Sequence, residues 1–102
     1  MPAPAYLIVT MNITDPERYR AYMAAAPAAV RAAGGEYLVR GGRHETLEGD
    51  WQPHRVALLR FPSYEAAKAF VQGEYANTVR PLRAGATESF DMVLVEGVAA
   101  AV

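Results

Sequence analysis

Residues 36–51, EYLVRGGRHETLEGDW, change character halfway along. At the start, Tyr37 and Val39 would face one way and Leu38 and Arg40 the other, as a β-strand requires. This strand is expected over residues 36–43, with a break at Gly41-Gly42. A polar loop follows over residues 44–53, carrying the turn pair Gly49-Asp50 and the chain's single tryptophan, Trp51. The next strand, residues 54–61, comes with no helix between. An apolar strand that ends on an arginine, two glycines and a lone tryptophan is the most site-like feature in the chain.

Helix and strand patterns flank this pair in mirrored order. Upstream, residues 5–13 alternate, with Leu7, Val9, Met11 and Ile13 on one face and Tyr6, Ile8, Thr10 and Asn12 on the other. Thr14-Asp15-Pro16-Glu17 reads as a helix start, capped by either Thr14 or Asp15. Tyr19, Tyr22, Met23, Ala26, Val30 and Ala33 keep helical spacing as far as Gly34-Gly35. Pro27 conflicts with that pattern, and a kink or a second short helix is expected there. Downstream, Ser63 caps a helix whose buried stripe is Ala67, Phe70 and Val71. Gly73 is expected to interrupt it, with a second piece over residues 74–83. Residues 90–95 form the last strand and residues 98–102 a frayed tail.

The order is strand, helix, strand, strand, helix, strand. That is the split βαβ, or ferredoxin-like, α+β plan: a four-stranded antiparallel sheet with two helical segments on one face. The 102 residues make one domain, with its core over about residues 5–97. The first and third strands should be central.

Composition narrows the chemistry. The net charge is −1 with no basic stripe, so neither nucleic acid nor a membrane surface is an expected partner. There is no cysteine, which excludes disulfides and thiolate chemistry. The N-terminal stretch lacks the pattern of a signal peptide, and cytoplasmic residence is expected. The hydrophobic share of 52% is high for so short a chain. Two helices cover only one face of the sheet, and the other would carry Tyr6, Ile8, Leu38, Val56 and Leu58. Monomers rarely expose such a patch, so a homodimer through that open face is expected. Arg40, Arg60, Thr10 and Asn12 would then lie between the sheets or at their rim. A buried arginine needs a partner there: Asp91, a carboxylate of the second copy, or an anionic ligand.

Several blocks also resemble a known family. Asp15-Pro16 precedes a tyrosine-containing helix. Leu38-Val39-Arg40-Gly41-Gly42 is followed by Glu48-Gly49, Trp51, Pro53 and Arg55. Phe61-Pro62-Ser63, Glu74-Tyr75 and Pro81-Leu82-Arg83 complete the set. Together they resemble domain-of-unknown-function family 1330 over nearly the whole chain. The resemblance implies a dimeric α/β barrel, two ferredoxin-like sheets packed face to face. The wider superfamily includes cofactor-free monooxygenases, isomerases and haem-degrading enzymes, and it implies no particular reaction.

The matching blocks mark a candidate ligand site. Gly41 and Gly42 would let backbone approach a ligand, and Arg40 and Arg55 would hold a carboxylate or enolate oxygen. Trp51 would roof an apolar substrate or staple the loop. Arg60 and Arg83 are further ligand candidates, with a helix-terminal role as the alternative for Arg83. His44 and His54 are the candidate proton carriers. No metal site is expected, since the two histidines have no ligand spacing. No cofactor is expected either, and residues 63–83 contain none of the histidine that haem-degrading relatives use on their second helix. The expected ligand is small, partly apolar, and anionic or enolisable. The protein would act on it as a cofactor-independent monooxygenase- or isomerase-like enzyme, with a non-catalytic dimeric ligand-binding or stress-response module as the alternative.

Overall fold

The computed structural model of the chain describes residues 3–99. Four strands, β1 (Ala5–Ile13), β2 (Glu36–Arg40), β3 (Arg55–Phe61) and β4 (Thr87–Glu96), form one antiparallel sheet in the order β2-β3-β1-β4. Helix α1 (Pro16–Ala32) connects β1 to β2, and α2 (Tyr64–Phe70) follows β3. This is the split βαβ plan, with β1 and β3 central. β2 stops at Arg40, three residues earlier than expected, and β4 extends beyond residues 90–95 at both ends. The tail expected over residues 98–102 lies outside the described residues beyond Ala99. No helix among the described residues is long and apolar enough to cross a membrane.

Local chemistry accounts for the helix ends. Asp15 is the cap: its carboxylate accepts the Arg18 amide at 3.1 Å, and Pro16 opens the helix where no amide is needed. Thr14 instead donates its amide to the carbonyl of Ala86 at 2.9 Å. At the far end, the Gly35 amide donates to Val30 O and the Gly34 amide to Arg31 O. Gly34 has φ 87°, the left-handed conformation of a Schellman stop.

Two helical expectations need correction. α1 runs through Pro27 as one helix, so the second short helix expected as one of the two outcomes there does not form. Pro27 has no N–H for the Met23 carbonyl four residues back, but that carbonyl accepts instead from the Arg40 guanidinium at 2.8 Å. Gly73 does not interrupt the second helical segment. α2 passes directly into a π-helix, Val71–Val79, and then a 3₁₀ turn, Arg80–Arg83. The wider turns space Phe70, Tyr75 and Val79 so that all three are buried.

The helices cover one face only. Leu7, Val9, Met11, Ala57, Leu59 and Phe61 point into that core. On the other face, Val39, Leu58, Ile8 and Val93 are cross-strand neighbours and form one apolar row across all four strands. Tyr6, Val56 and Val95 flank it, and Val93 is 57% exposed. The principal extents, 42 × 36 × 18 Å, leave room for two layers and no third.

Candidate functional site

A narrow cavity of about 40 Å³ lies between α1 and the covered face of the sheet. Tyr19 and Tyr22 line it from α1, Tyr37 from β2 and Tyr75 from the π-helix, with Met23, Arg40 and Arg55. Its interior is aromatic: Tyr19 and Tyr22 rings lie 5.0 Å apart, and Tyr22 meets Tyr75 edge-on at 6.1 Å. The hydroxyls of Tyr22 and Tyr75 are 2.8 Å apart and buried.

A register shift brings Arg40 here. Strict alternation over β2 sends Arg40 to the open face with Leu38, between the sheets. The register instead shifts between Tyr37 and Val39, so Tyr37 sits opposite Leu59 and Arg40 opposite Ala57. Both partners face the helices, and Arg40 turns with them. Its guanidinium lies 5.0 Å from the Tyr37 ring centroid and donates to Met23 O. Pro27, where a kink or a second short helix was expected, leaves this acceptor open for the arginine.

Arg55 arrives from β3, opposite Met11, with its guanidinium against Gly41. Gly41 has φ 73°, and a Cβ there would collide with that guanidinium. Gly41→Ala is therefore expected to lose about 1–2 kcal/mol through backbone strain alone and to push Arg55 off its seat. Urea unfolding of the variant reads the stability loss.

Arg40 and Arg55 have no carboxylate within ion-pair distance among the described residues. The ion pairs found there are Arg18–Asp15, Arg20–Glu17 and Arg60–Glu36. Arg60 thus sits on the open face beside Glu36 at 3.6 Å, outside the cavity. Arg83 lies behind the cavity wall. It donates from Nε to the Tyr75 hydroxyl at 3.3 Å, and its guanidinium carbon is 3.6 Å from the Phe90 ring centroid.

The loop residues lie apart from the cavity. Gly42 is exposed, and Trp51 is 64% exposed, roofing nothing in this chain. The Trp51 carbonyl accepts from the Thr46 hydroxyl. His44 has Nδ1 3.2 Å from Gly42 O and Nε2 2.8 Å from Pro53 O, so its ring ties the two ends of the loop together. His44 and His54 both line a shallow depression with Asn12, Gly41 and Arg55, next to the cavity's mouth. No three His, Asp or Glu side chains gather into a metal-binding group among the described residues.

Burial sets the protonation of the tyrosines. It pushes the Tyr19 hydroxyl up to about 12, reinforced by Tyr75 and opposed by Arg55 and Arg83. Burial also raises Tyr22, with Tyr75 adding to it, and raises Tyr37 against the opposing charge of Arg40. All three therefore remain neutral hydrogen-bond donors at neutral pH. Their folded values lie above the unfolded one near 10. The folded state thus holds more protons than the unfolded state in alkali, and stability falls as pH rises. Through these tyrosines, the midpoint of urea unfolding should drop as pH rises from 10 to 12.

Of the sequence-level candidates, Arg40 and Arg55 line this cavity and Gly41 lies against the Arg55 guanidinium beside it, while Gly42, Trp51, Arg60 and Arg83 do not line it. The tyrosine lining was not singled out from the sequence as a site. The available signal was Tyr19 and Tyr22 at i, i+3 on one helix face. Nothing in the local sequence links them to Tyr37 or Tyr75.

Comparison with known proteins agrees with this architecture. The family described as Domain of unknown function (DUF1330) matches residues 4–98. A protein of unknown function from Rhodopseudomonas palustris superposes with TM-score 0.74 at 16% identity, covering 96% of this chain and 85% of that one. A putative antibiotic biosynthesis monooxygenase from Nitrosomonas europaea gives 0.57 at 17% identity, over 96% and 93%. A dimeric protein of unknown function and ferredoxin-like fold from Bacteroides fragilis gives 0.53 at 18% identity, over 91% and 95%. No curated protein matches the chain. At these identities the structures share a fold with this chain.

Proposed function

We infer that this chain, which belongs to the DUF1330 family, binds a small, partly apolar, anionic or enolisable molecule in the tyrosine-lined cavity. It would do so as a cytoplasmic homodimer closed through the open face of its sheet. The observation that carries the binding reading is the pair Arg40 and Arg55. Two guanidiniums without carboxylate partners among the described residues line the mouth of an otherwise aromatic and aliphatic cavity. Guanidinium is suited to hold a carboxylate or enolate oxygen in that setting, while the rings take the apolar body.

The cavity has room for about three waters at its present 40 Å³. A ring-sized ligand therefore enters by displacing the Arg40 side chain from Met23 O, trading a carbonyl acceptor for the ligand's anionic oxygen. Support for the dimer comes from the uncovered apolar row Val39, Leu58, Ile8 and Val93. The Bacteroides fragilis protein of the same fold is described as dimeric.

The binding reading is tested by calorimetric titration with benzoate, the simplest flat acid. Saturable binding at one site per protomer supports it. Absence of heat up to millimolar concentrations, for benzoate and its ring-substituted relatives alike, overturns it.

A catalytic extension, as a cofactor-independent oxygenase or isomerase, is favoured by one feature. His54 is exposed and shares the depression beside Arg55 with His44, whose ring already ties the loop. His54 is thus the better placed proton carrier. The fold shared with the Nitrosomonas europaea protein described as a putative antibiotic biosynthesis monooxygenase points the same way. Conversion of a bound ligand under air would separate an enzyme from a binding protein.

A further inference from the structure

Three protons converge on two hydroxyl oxygens in the wall of the cavity. The Tyr22 and Tyr75 hydroxyls are 2.8 Å apart. Arg83 Nε lies 3.3 Å from the Tyr75 oxygen and can only donate, because guanidinium has no acceptor. Arg83 is fixed in that pose by packing on the Phe90 ring.

The count of protons exceeds the count of acceptors. Tyr75 accepts from Arg83 and sends its own proton to Tyr22, since donors aligned head to tail polarise one another. The Tyr22 proton then has no protein acceptor among the described residues. The reverse order leaves the Tyr75 proton without one. Either way the pair has one O–H left over, and both residues line the cavity. Tyr22 is only 8% exposed, and a buried donor with nothing to donate to is unfavourable. A water in the cavity can take that bond, and a second oxygen on the ligand, distinct from the anionic group at Arg40 and Arg55, can replace it.

We propose that the Tyr22 hydroxyl, oriented by the relay Arg83–Tyr75, donates a hydrogen bond to a neutral carbonyl-type oxygen of the ligand. The ligand class is then an aromatic or enolic acid that also carries a carbonyl. This inference rests on the anion-binding reading above and narrows it. Arg83 is a positioning residue, acting through Tyr75 and not touching the ligand.

The test compares benzoate with 3-acetylbenzoate and 4-acetylbenzoate by calorimetry. The wild type should bind one acetyl isomer about tenfold more tightly than benzoate, the gain of one hydrogen bond. Tyr22→Phe should bring that preference to about one. Arg83→Met, which keeps packing on Phe90 but removes the first donor, should lower it to about threefold. Arg83 is partly exposed, so this variant keeps the test open where Tyr22→Phe fails to fold. Binding of benzoate with no gain from either acetyl group overturns the relay alone, as does a preference that survives Tyr22→Phe. Failure of all three acids to bind the wild type overturns the anion site, and the relay with it.

Discussion

Leu58→Asp is expected to turn a dimer into a folded monomer. Leu58 stands on the central strand β3, opposite Ile8, in the middle of the apolar row on the uncovered face. In a two-fold interface each copy presents the same patch, so one substitution places two carboxylates in it. An unpaired charge buried at an interface costs about 2–5 kcal/mol, and the two copies act together. Micromolar protein should then sediment as a single protomer where the wild type sediments as a dimer. The fold itself should hold, because Leu58 faces away from the helix-covered core. An unchanged far-ultraviolet dichroism spectrum checks that point. A variant that sediments like the wild type, whatever that state is, would show that this face does not make the assembly.

The double variant Arg40→Ala/Arg55→Ala should weaken benzoate binding by at least about a hundredfold. Hydrogen bonds to charged groups contribute about 1.5–3 kcal/mol each, or roughly tenfold to a hundredfold per arginine. The two would share one ligand, so their effects need not simply add. Arg40→Lys should recover only part of the loss, since an ammonium lacks the planar fork. Neither truncation touches the buried core, because Arg40 is exposed and Arg55 half-exposed. The Met23 carbonyl left by Arg40 can be met by solvent. Affinity should therefore fall far more than stability, and that split distinguishes a ligand anchor from a structural arginine. Calorimetry paired with urea unfolding on the same samples measures both.

The parts of this molecule that were legible in sequence share a physical trait: they depend on short-range chemistry. Asp15-Pro16 and Ser63 cap helices within a few residues of themselves. Gly34-Gly35 stops α1 through bonds to carbonyls in its own last turn. Alternation in β1 and β3 reports directly which side chains meet the helices. Element order then follows, and with it the ferredoxin-like plan.

What was not legible depends on partners distant in sequence. Pro27 reads as a helix breaker because its missing amide is local, while the group that takes up the orphaned carbonyl is Arg40, thirteen positions on. The register shift in β2 leaves no local mark, yet it alone decides that Arg40 faces the cavity instead of the open sheet. Gly73 resembles a break, but the chain absorbs it in a π-helix that brings Tyr75 against Tyr22. Strict alternation put Arg40 on the open face, and the register shift turns it to the covered one. Tyr19 and Tyr22 keep helical spacing in the sequence, but nothing local shows that Tyr37 and Tyr75 meet them.

The central claim is that Arg40 and Arg55 hold the anionic group of a ligand whose body lies among Tyr19, Tyr22, Tyr37 and Tyr75. A crystal structure of the protein soaked in an aryl carboxylate tests it most directly. The predicted result is a carboxylate within hydrogen-bond distance of both guanidiniums, with the Arg40–Met23 carbonyl bond broken and the ring inside the cavity. An acid bound elsewhere, with Arg40 still on Met23 and the cavity unentered, would contradict it.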